Sequence, residues 1–224
     1  MLSPVKLVAD PYPPYQFERD GKVTGMDYDL IYESFKIHDV GIQVSLHGWD
    51  ECIALLDAGK ADGIFQITRN AEREKRFLFS KVLRTARTLF FTKETESIML
   101  HDGKKLSDRL GSEKIGILKG YSYSDEVDAL ECSLKVEKTA NEELLDGLTR
   151  CEFSLALIDE GVAAFLIKGP EQEGIKPLPG FEISRPLFVA FRKDMREYVK
   201  LFNSGLSEIR INGVYESVLE RYSL

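Results

Sequence analysis

GKADGIFQITRNAEREKRFLFS, Gly59 to Ser80, is the stretch on which the reading of this chain turns. Gly63–Ile67 has the apolar, β-rich character of a short buried strand, and it runs directly into the hydroxyl of Thr68. A polar turn follows and feeds a helical segment that carries Arg73. A strand end, a hydroxyl, a helix start and an arginine this close together suit a small carboxylate. Backbone N–H groups at a helix N-terminus attract anions, and a guanidinium fork grips a carboxylate through two parallel bonds. The plainer alternative is that Arg73 belongs to a solvated charge run, Glu72-Arg73-Glu74-Lys75-Arg76. The stretch alone leaves both readings open.

Outward from it, short β-rich runs alternate with amphipathic helical runs, the pattern of an α/β fold with mainly parallel sheets. Strands are predicted at Lys6–Ala9, Ile42–Leu46, Gly63–Ile67, Lys114–Leu118, Leu134–Glu137 and Phe153–Ile158. Helices are predicted over Asp27–His38, Trp49–Ala58, Glu160–Lys168, Met195–Ile209 and Val214–Tyr222, with Gly59 as the stop signal of the second. The βαβ rhythm runs before about residue 85 and restarts at Lys114. Two long β-rich runs, Arg84–Lys93 and Ile183–Phe191, read as strands crossing between two lobes. The expected division is residues 1–88 plus 190–224 in one lobe and 89–189 in the other, with crossings near 86–92 and 184–191. Two lobes of this kind leave a cleft, a preferred place for a ligand.

Composition narrows the function. The chain has 224 residues, enough for two small lobes each with its own core. A formal net charge of −7 argues against a general nucleic-acid binder, which would show a basic footprint. No apolar run approaches the roughly 18 residues that a membrane span needs. The N-terminus, MLSPVKLVAD, enters a strand almost at once and shows no signal peptide, so the chain is either cytoplasmic or trimmed of a targeting segment. His38, His47 and His101 lack metal-ligand spacing, and Cys52, Cys132 and Cys151 form no CxxC. Neither a metal nor a cofactor is expected.

The order of motifs carries a resemblance. DPYPPYQF (Asp10–Phe17), GKVTGMDYDL (Gly21–Leu30), GWDECIALLDAGKADGIF (Gly48–Phe65) and TRNAEREKRFLFS are similar to the amino-acid-binding class of bacterial periplasmic solute-binding proteins, substrate-binding components of ABC transporters. LKGYSYSDEV (Leu118–Val127) and LALIDEGVAAFL (Leu155–Leu166) resemble the second lobe of the same family, so the likeness spans nearly the whole chain. It implies the type II periplasmic binding protein fold, two doubly wound α/β lobes on a two-strand hinge that close on a ligand without catalysis. It also implies a periplasmic, monomeric protein whose partners are a free amino acid and the membrane permease of an ABC importer.

Carried over position by position, Arg73 would clamp the ligand α-carboxylate, helped by the Thr68 hydroxyl and a backbone N–H near Ser122. Asp159 would accept the α-ammonium, with the carbonyl of Gln66. Tyr12, Tyr15 and Trp49 match aromatic positions that wall the ligand. The chemistry is coherent, because a zwitterion taken out of water needs both of its charges paired. Each residue also has a plainer role. Asp159 opens a helix and could be its N-cap, Trp49 could be a core residue at a helix start, and DPYPPY is a turn before it is a wall.

Departures from the family pattern bear on the ligand. Lys81-Val82-Leu83-Arg84 replaces the usual proline–tyrosine–tyrosine, and Arg87 follows. These arginines are either a basic strand edge or a selector for an anionic side chain. Gln66 stands where glycine-like residues are common. Cys132 and Cys151 each precede a strand of the second lobe; with the doubly wound order those strands flank a central one, too far apart for a disulfide. The chain ends at Leu224 just after its last helix, which favours a stand-alone binding protein over a sensor domain on the same scaffold. A dehydratase is the enzymatic alternative, with Glu160 as its general acid.

Overall fold

The computed structural model describes residues 3–94, 100–121 and 123–222. The chain divides into two compact units, one built from Met1–Thr85 with Arg185–Leu224 and one from Ala86–Ser184. The first unit opens with β1 (Val5–Ala9), the hairpin β2 (Phe17–Arg19) and β3 (Lys22–Thr24), α1 (Met26–Lys36), β4 (Ile42–Leu46) and α2 (Trp49–Asp57). It continues through β5 (Gly63–Ile67), α3 (Ala71–Arg76) and β6 (Phe77–Phe79). β7 (Arg84–Lys93) carries the chain into the second unit. There follow α4 (Leu106–Leu110), β8 (Ile115–Leu118), α5 (Asp125–Asp128), β9 (Lys135–Lys138), α6 (Asn141–Thr149), β10 (Leu155–Asp159) and α7 (Glu160–Leu166). β11 (Ile175–Arg192) returns the chain to the first unit, which α8 (Arg196–Ile211) and α9 (Val214–Arg221) complete.

In the first unit β1 is central and parallel to both neighbours, with Val5 opposite Ile42 of β4 and Leu7 opposite Gly63 of β5. The last residues of β11 then add antiparallel to β5 and β6. Helices cover both faces, which is the doubly wound arrangement. Cys52 and Leu56 of α2 bury against Val8, Ile64 and Ala190 on one side. On the other, Phe35 of α1 meets Phe191 of β11 edge-on at 6.4 Å and Phe202 of α8 at 5.4 Å. Gly59 ends α2 at φ +68, the left-handed stop expected there.

The second unit repeats the scheme. β8 lies between β10 and β9, parallel to both, and β7 adds antiparallel to β10. Its core gathers Phe90, Ile115, Ile117, Leu155, Leu157, Phe181 and Ile183. Phe153 wedges between β8 and α6 so closely that a Cβ at Gly116 or Gly147 would fall within 2.5 Å of its ring. Cys132 and Cys151 precede β9 and β10 and are exposed free thiols, whereas Cys52 is buried.

The structure differs from the sequence patterns in three ways. Crossing strands contribute antiparallel pairs, so neither sheet is wholly parallel. β11 begins at Ile175, well before the expected Ile183. The β2–β3 hairpin and α4, α5 and α6 add elements that periodicity did not predict, because the first four are short and α6 hides a four-residue apolar face in an acidic stretch. No helix among the described residues is long and apolar enough to cross a membrane.

Candidate functional site

β5 ends at Ile67, and the chain then turns through Thr68 and Asn70 into α3. Asn70 caps that helix, its Oδ1 accepting the backbone N–H of Arg73 at 2.9 Å. The cap sets the direction of the first turn and brings the Arg73 side chain back towards the strand end. There Nη1 of Arg73 donates to the Thr68 carbonyl at 2.8 Å and to Thr68 Oγ1 at 2.6 Å. The guanidinium carbon lies 5.1 Å from the centre of the Trp49 ring, at the start of α2.

The charge run around Arg73 therefore splits. Arg69 pairs with Glu74, and Arg76 pairs with Asp57 at 2.6 Å, both on the surface. Arg73 is half-buried, burial lowers its pKa from the ordinary arginine value, and it has no carboxylate within ion-pair distance among the described residues. Its Nη2 and Nε likewise have no acceptor there. A desolvated guanidinium whose fork remains open is a receptor for a planar anion.

Gln66 lies one residue before the strand end and adopts φ +58, the left-handed region. The pairing of β5 with β11 shifts at this point: Phe65 faces Val189 and Ile67 faces Phe188, so Gln66 is the extra residue of a bulge. A bulge frees its backbone from the ladder, and a left-handed φ explains why glycine-like residues suit the position. The Gln66 side-chain oxygen accepts from Nε2 of Gln16, which also donates to the Asp10 carbonyl at 2.9 Å. Gln16 is wholly buried and ties the ends of β1 and β5 together; a polar residue inside DPYPPYQF gave no sign of this at the sequence level. Beside it, burial raises the pKa of Asp10.

Tyr12 and Tyr15 stack at 5.8 Å with an interplanar angle of 15°. Tyr15 is only 3% exposed, whereas Tyr12 is half-buried, so Tyr12 is the ring of this pair with the more accessible face. Behind Tyr15 lies Arg84, its guanidinium carbon 3.5 Å from the ring centre and its Nε 2.5 Å from Asp27 Oδ1. Both members of that ion pair are buried.

In the second unit, Asp159 ends β10 opposite Thr88. Its Oδ1 accepts the N–H groups of Gly161 and Val162 at 3.0 and 3.2 Å, which makes it the N-cap of α7. Next to it Glu160 is held through both oxygens by Arg87, at 3.0 and 2.8 Å, and Arg87 also reaches Glu182 at 2.9 Å. Ser122 lies outside the described residues. In the first unit, then, Tyr12, Trp49, Gln66, Thr68 and Arg73 gather where β1, β4 and β5 end, with Tyr15 behind Tyr12. Both Arg84 and Arg87 have carboxylate partners within their own unit, so neither is the open cation that selection of an anionic side chain would need. Among the described residues no group of three or more His, Cys, Asp and Glu could hold a metal ion.

Comparison with known proteins identifies the family. The chain matches the bacterial extracellular solute-binding proteins, family 3, over residues 5–224, and it belongs to that family. One relative, described as "Probable histidine-binding protein" of Campylobacter jejuni, is 26% identical over 95% of this chain and 82% of its own length. The L-cystine-binding protein TcyJ of Escherichia coli is 25% identical over 94% of this chain and 79% of its own. The solved structure of an ancestral arginine-binding protein bound to arginine superposes with a TM-score of 0.74, at 24% identity over the whole of both chains, and shares the type II periplasmic binding protein fold.

Proposed function

We propose that this chain is a periplasmic solute-binding protein that captures a free amino acid and delivers it, as a monomer, to the membrane permease of an ABC importer. Arg73 and Thr68 take the α-carboxylate with a backbone N–H near Ser122, and Asp159 takes the α-ammonium with the Gln66 carbonyl. Tyr12 and Trp49 flank the ligand, and Tyr15 backs Tyr12. The observation that carries this reading is Arg73: a half-buried guanidinium, oriented by the Thr68 carbonyl and hydroxyl, with an open fork. Arg73 and Asp159 belong to different units, so a ligand held by both would favour a closed state, the differential affinity that closure requires.

Two findings support a neutral or cationic guest and a role without catalysis. Arg84 and Arg87 are neutralised by Asp27, Glu160 and Glu182, which leaves no arginine of that pair for an acidic side chain. Glu160, the acid that a dehydratase on this scaffold would use, is engaged through both oxygens by Arg87.

A thermal-shift screen of the free amino acids and L-cystine tests the proposal. A ligand present at about 100 times its Kd stabilises the folded state by roughly 2.7 kcal/mol, a readable shift. Arg73→Ala and Asp159→Asn are expected to melt as ligand-free wild type does, yet to lose the shift. Asparagine at 159 keeps an oxygen for the α7 cap while removing the charge. A wild-type shift in either variant would sink the clamp.

A further inference from the structure

We propose that Arg84 is a positioning residue for the ligand site: with Asp27 it fixes Tyr15, and through Tyr15 it sets the plane of Tyr12. This inference rests on the binding reading above only in making Tyr12 a face offered to the ligand. The stack itself is a property of the first unit.

Asp27 holds Tyr15 in two ways. Its backbone N–H donates to the Tyr15 carbonyl at 2.9 Å, while its carboxylate takes Arg84 Nε at 2.5 Å. Arg84 then lies against the Tyr15 ring, guanidinium carbon to ring centre 3.5 Å, which is van der Waals contact over the face. The loop backbone is fixed as well. The N–H of Met26 donates to the Pro14 carbonyl at 3.0 Å, and Gly25, at φ +127, lets the chain approach so closely that a Cβ there would fall 2.3 Å from the Tyr15 oxygen. Tyr15 is thus gripped by its carbonyl and by the guanidinium over its ring, and Tyr12 stacks with it.

The burial pattern assigns the roles. Asp27 is fully buried, Arg84 is 6% exposed and Tyr15 is 3% exposed, so a ligand cannot reach this layer; Tyr12 is the outermost member. A buried ion pair is a weak source of stability, because desolvation offsets the attraction, and its best use is to specify geometry. A planar guanidinium can hold a ring plane by stacking, which the point charge of lysine cannot do.

The test uses the full chain, with its nine tyrosines replaced by 3-fluorotyrosine and the Tyr12 fluorine resonance assigned by Tyr12→Phe. Arg84→Lys keeps the charge opposite Asp27 and removes the planar face. In the ligand-free protein it is expected to shift or sharpen the Tyr12 resonance. It is also expected to weaken binding of whichever of L-histidine, L-arginine and L-cystine the wild type holds, by about tenfold in Kd. Arg87→Met, which disturbs only an exposed ion-pair cluster, should change neither. If Arg84→Lys does not fold, the Asp27→Asn/Arg84→Met double variant, which leaves no buried charge unpaired, carries the same expectations. A folded variant with the Tyr12 resonance and Kd of wild type overturns the proposal, and so does one that loses stability alone. Should the wild type bind none of the three amino acids, the ligand reading is what suffers, and the Tyr12 resonance alone decides the positioning role.

Discussion

Cys52 shows what burial does to a reactive side chain. It lies on the inner face of α2 against Val8 and Ile64, and its pKa is pushed up to about 11, first by burial and then by the charge of Asp10. A thiol raised in this way is protonated when folded at neutral pH. Its contribution to stability is fully present below the unfolded thiol value of about 8.5 and is lost as pH rises from there to the folded value. Iodoacetamide at about pH 8 is therefore expected to label the exposed Cys132 and Cys151 and to spare Cys52, as read by mass spectrometry of the native protein. Equal labelling of all three would contradict the burial of Cys52. The arginines teach a parallel lesson: Arg73, Arg84 and Arg87 carry the same group, and their roles differ because of what each faces.

At the level of elements, α1 and α8 cross in close contact. A Cβ on Gly205 would lie 1.8 Å from the Ser34 carbonyl oxygen, so the helices cross where one of them has no side chain. The Phe35–Phe202 contact depends on that spacing. Gly205→Ala forces the helices apart and is expected to cost roughly 1–3 kcal/mol in chemical denaturation. Gly48→Ala, at the start of α2 with open space around it, should cost far less. A Gly205→Ala protein as stable as wild type would show that the crossing is looser than this. Much at this scale was legible in sequence. Gly59 announced the end of α2, and alternating β-rich and amphipathic runs placed β1, β4, β5, β8, β9 and β10 within a residue or two. The bulge at Gln66 was not legible, since glutamine carries no signal for a left-handed backbone and the pairing with β11 that creates it comes from far along the chain.

For the molecule as a whole, connectivity separates the two units. The second is one continuous segment with its own core around Phe90, Leu155 and Phe181, whereas the first needs both ends of the chain. A fragment of residues 86–184 is of domain size and is expected to fold alone, with mixed α/β circular dichroism and a cooperative melt. It carries Asp159 without Arg73, so no amino acid should shift its melting point. A fragment that stays unfolded would show that the first unit is required to shape the second. The Asp159 cap of α7, in contrast, is local, and should survive in the fragment.

The α/β class and most elements could be read along the chain, because helix and strand periods, caps and turn residues act within a few positions of one another; at Thr68 and Arg73 the local pattern left an anion clamp and a solvated charge run both open. Which arginine keeps an open fork depends on contacts between distant parts of the chain. Arg84 meets Asp27 across 57 positions and Arg87 meets Glu160 across 73, pairings that depend on how the strands are ordered and on which groups that order buries together. Arg73 is left with Thr68, five residues away, and a fork that no carboxylate among the described residues closes.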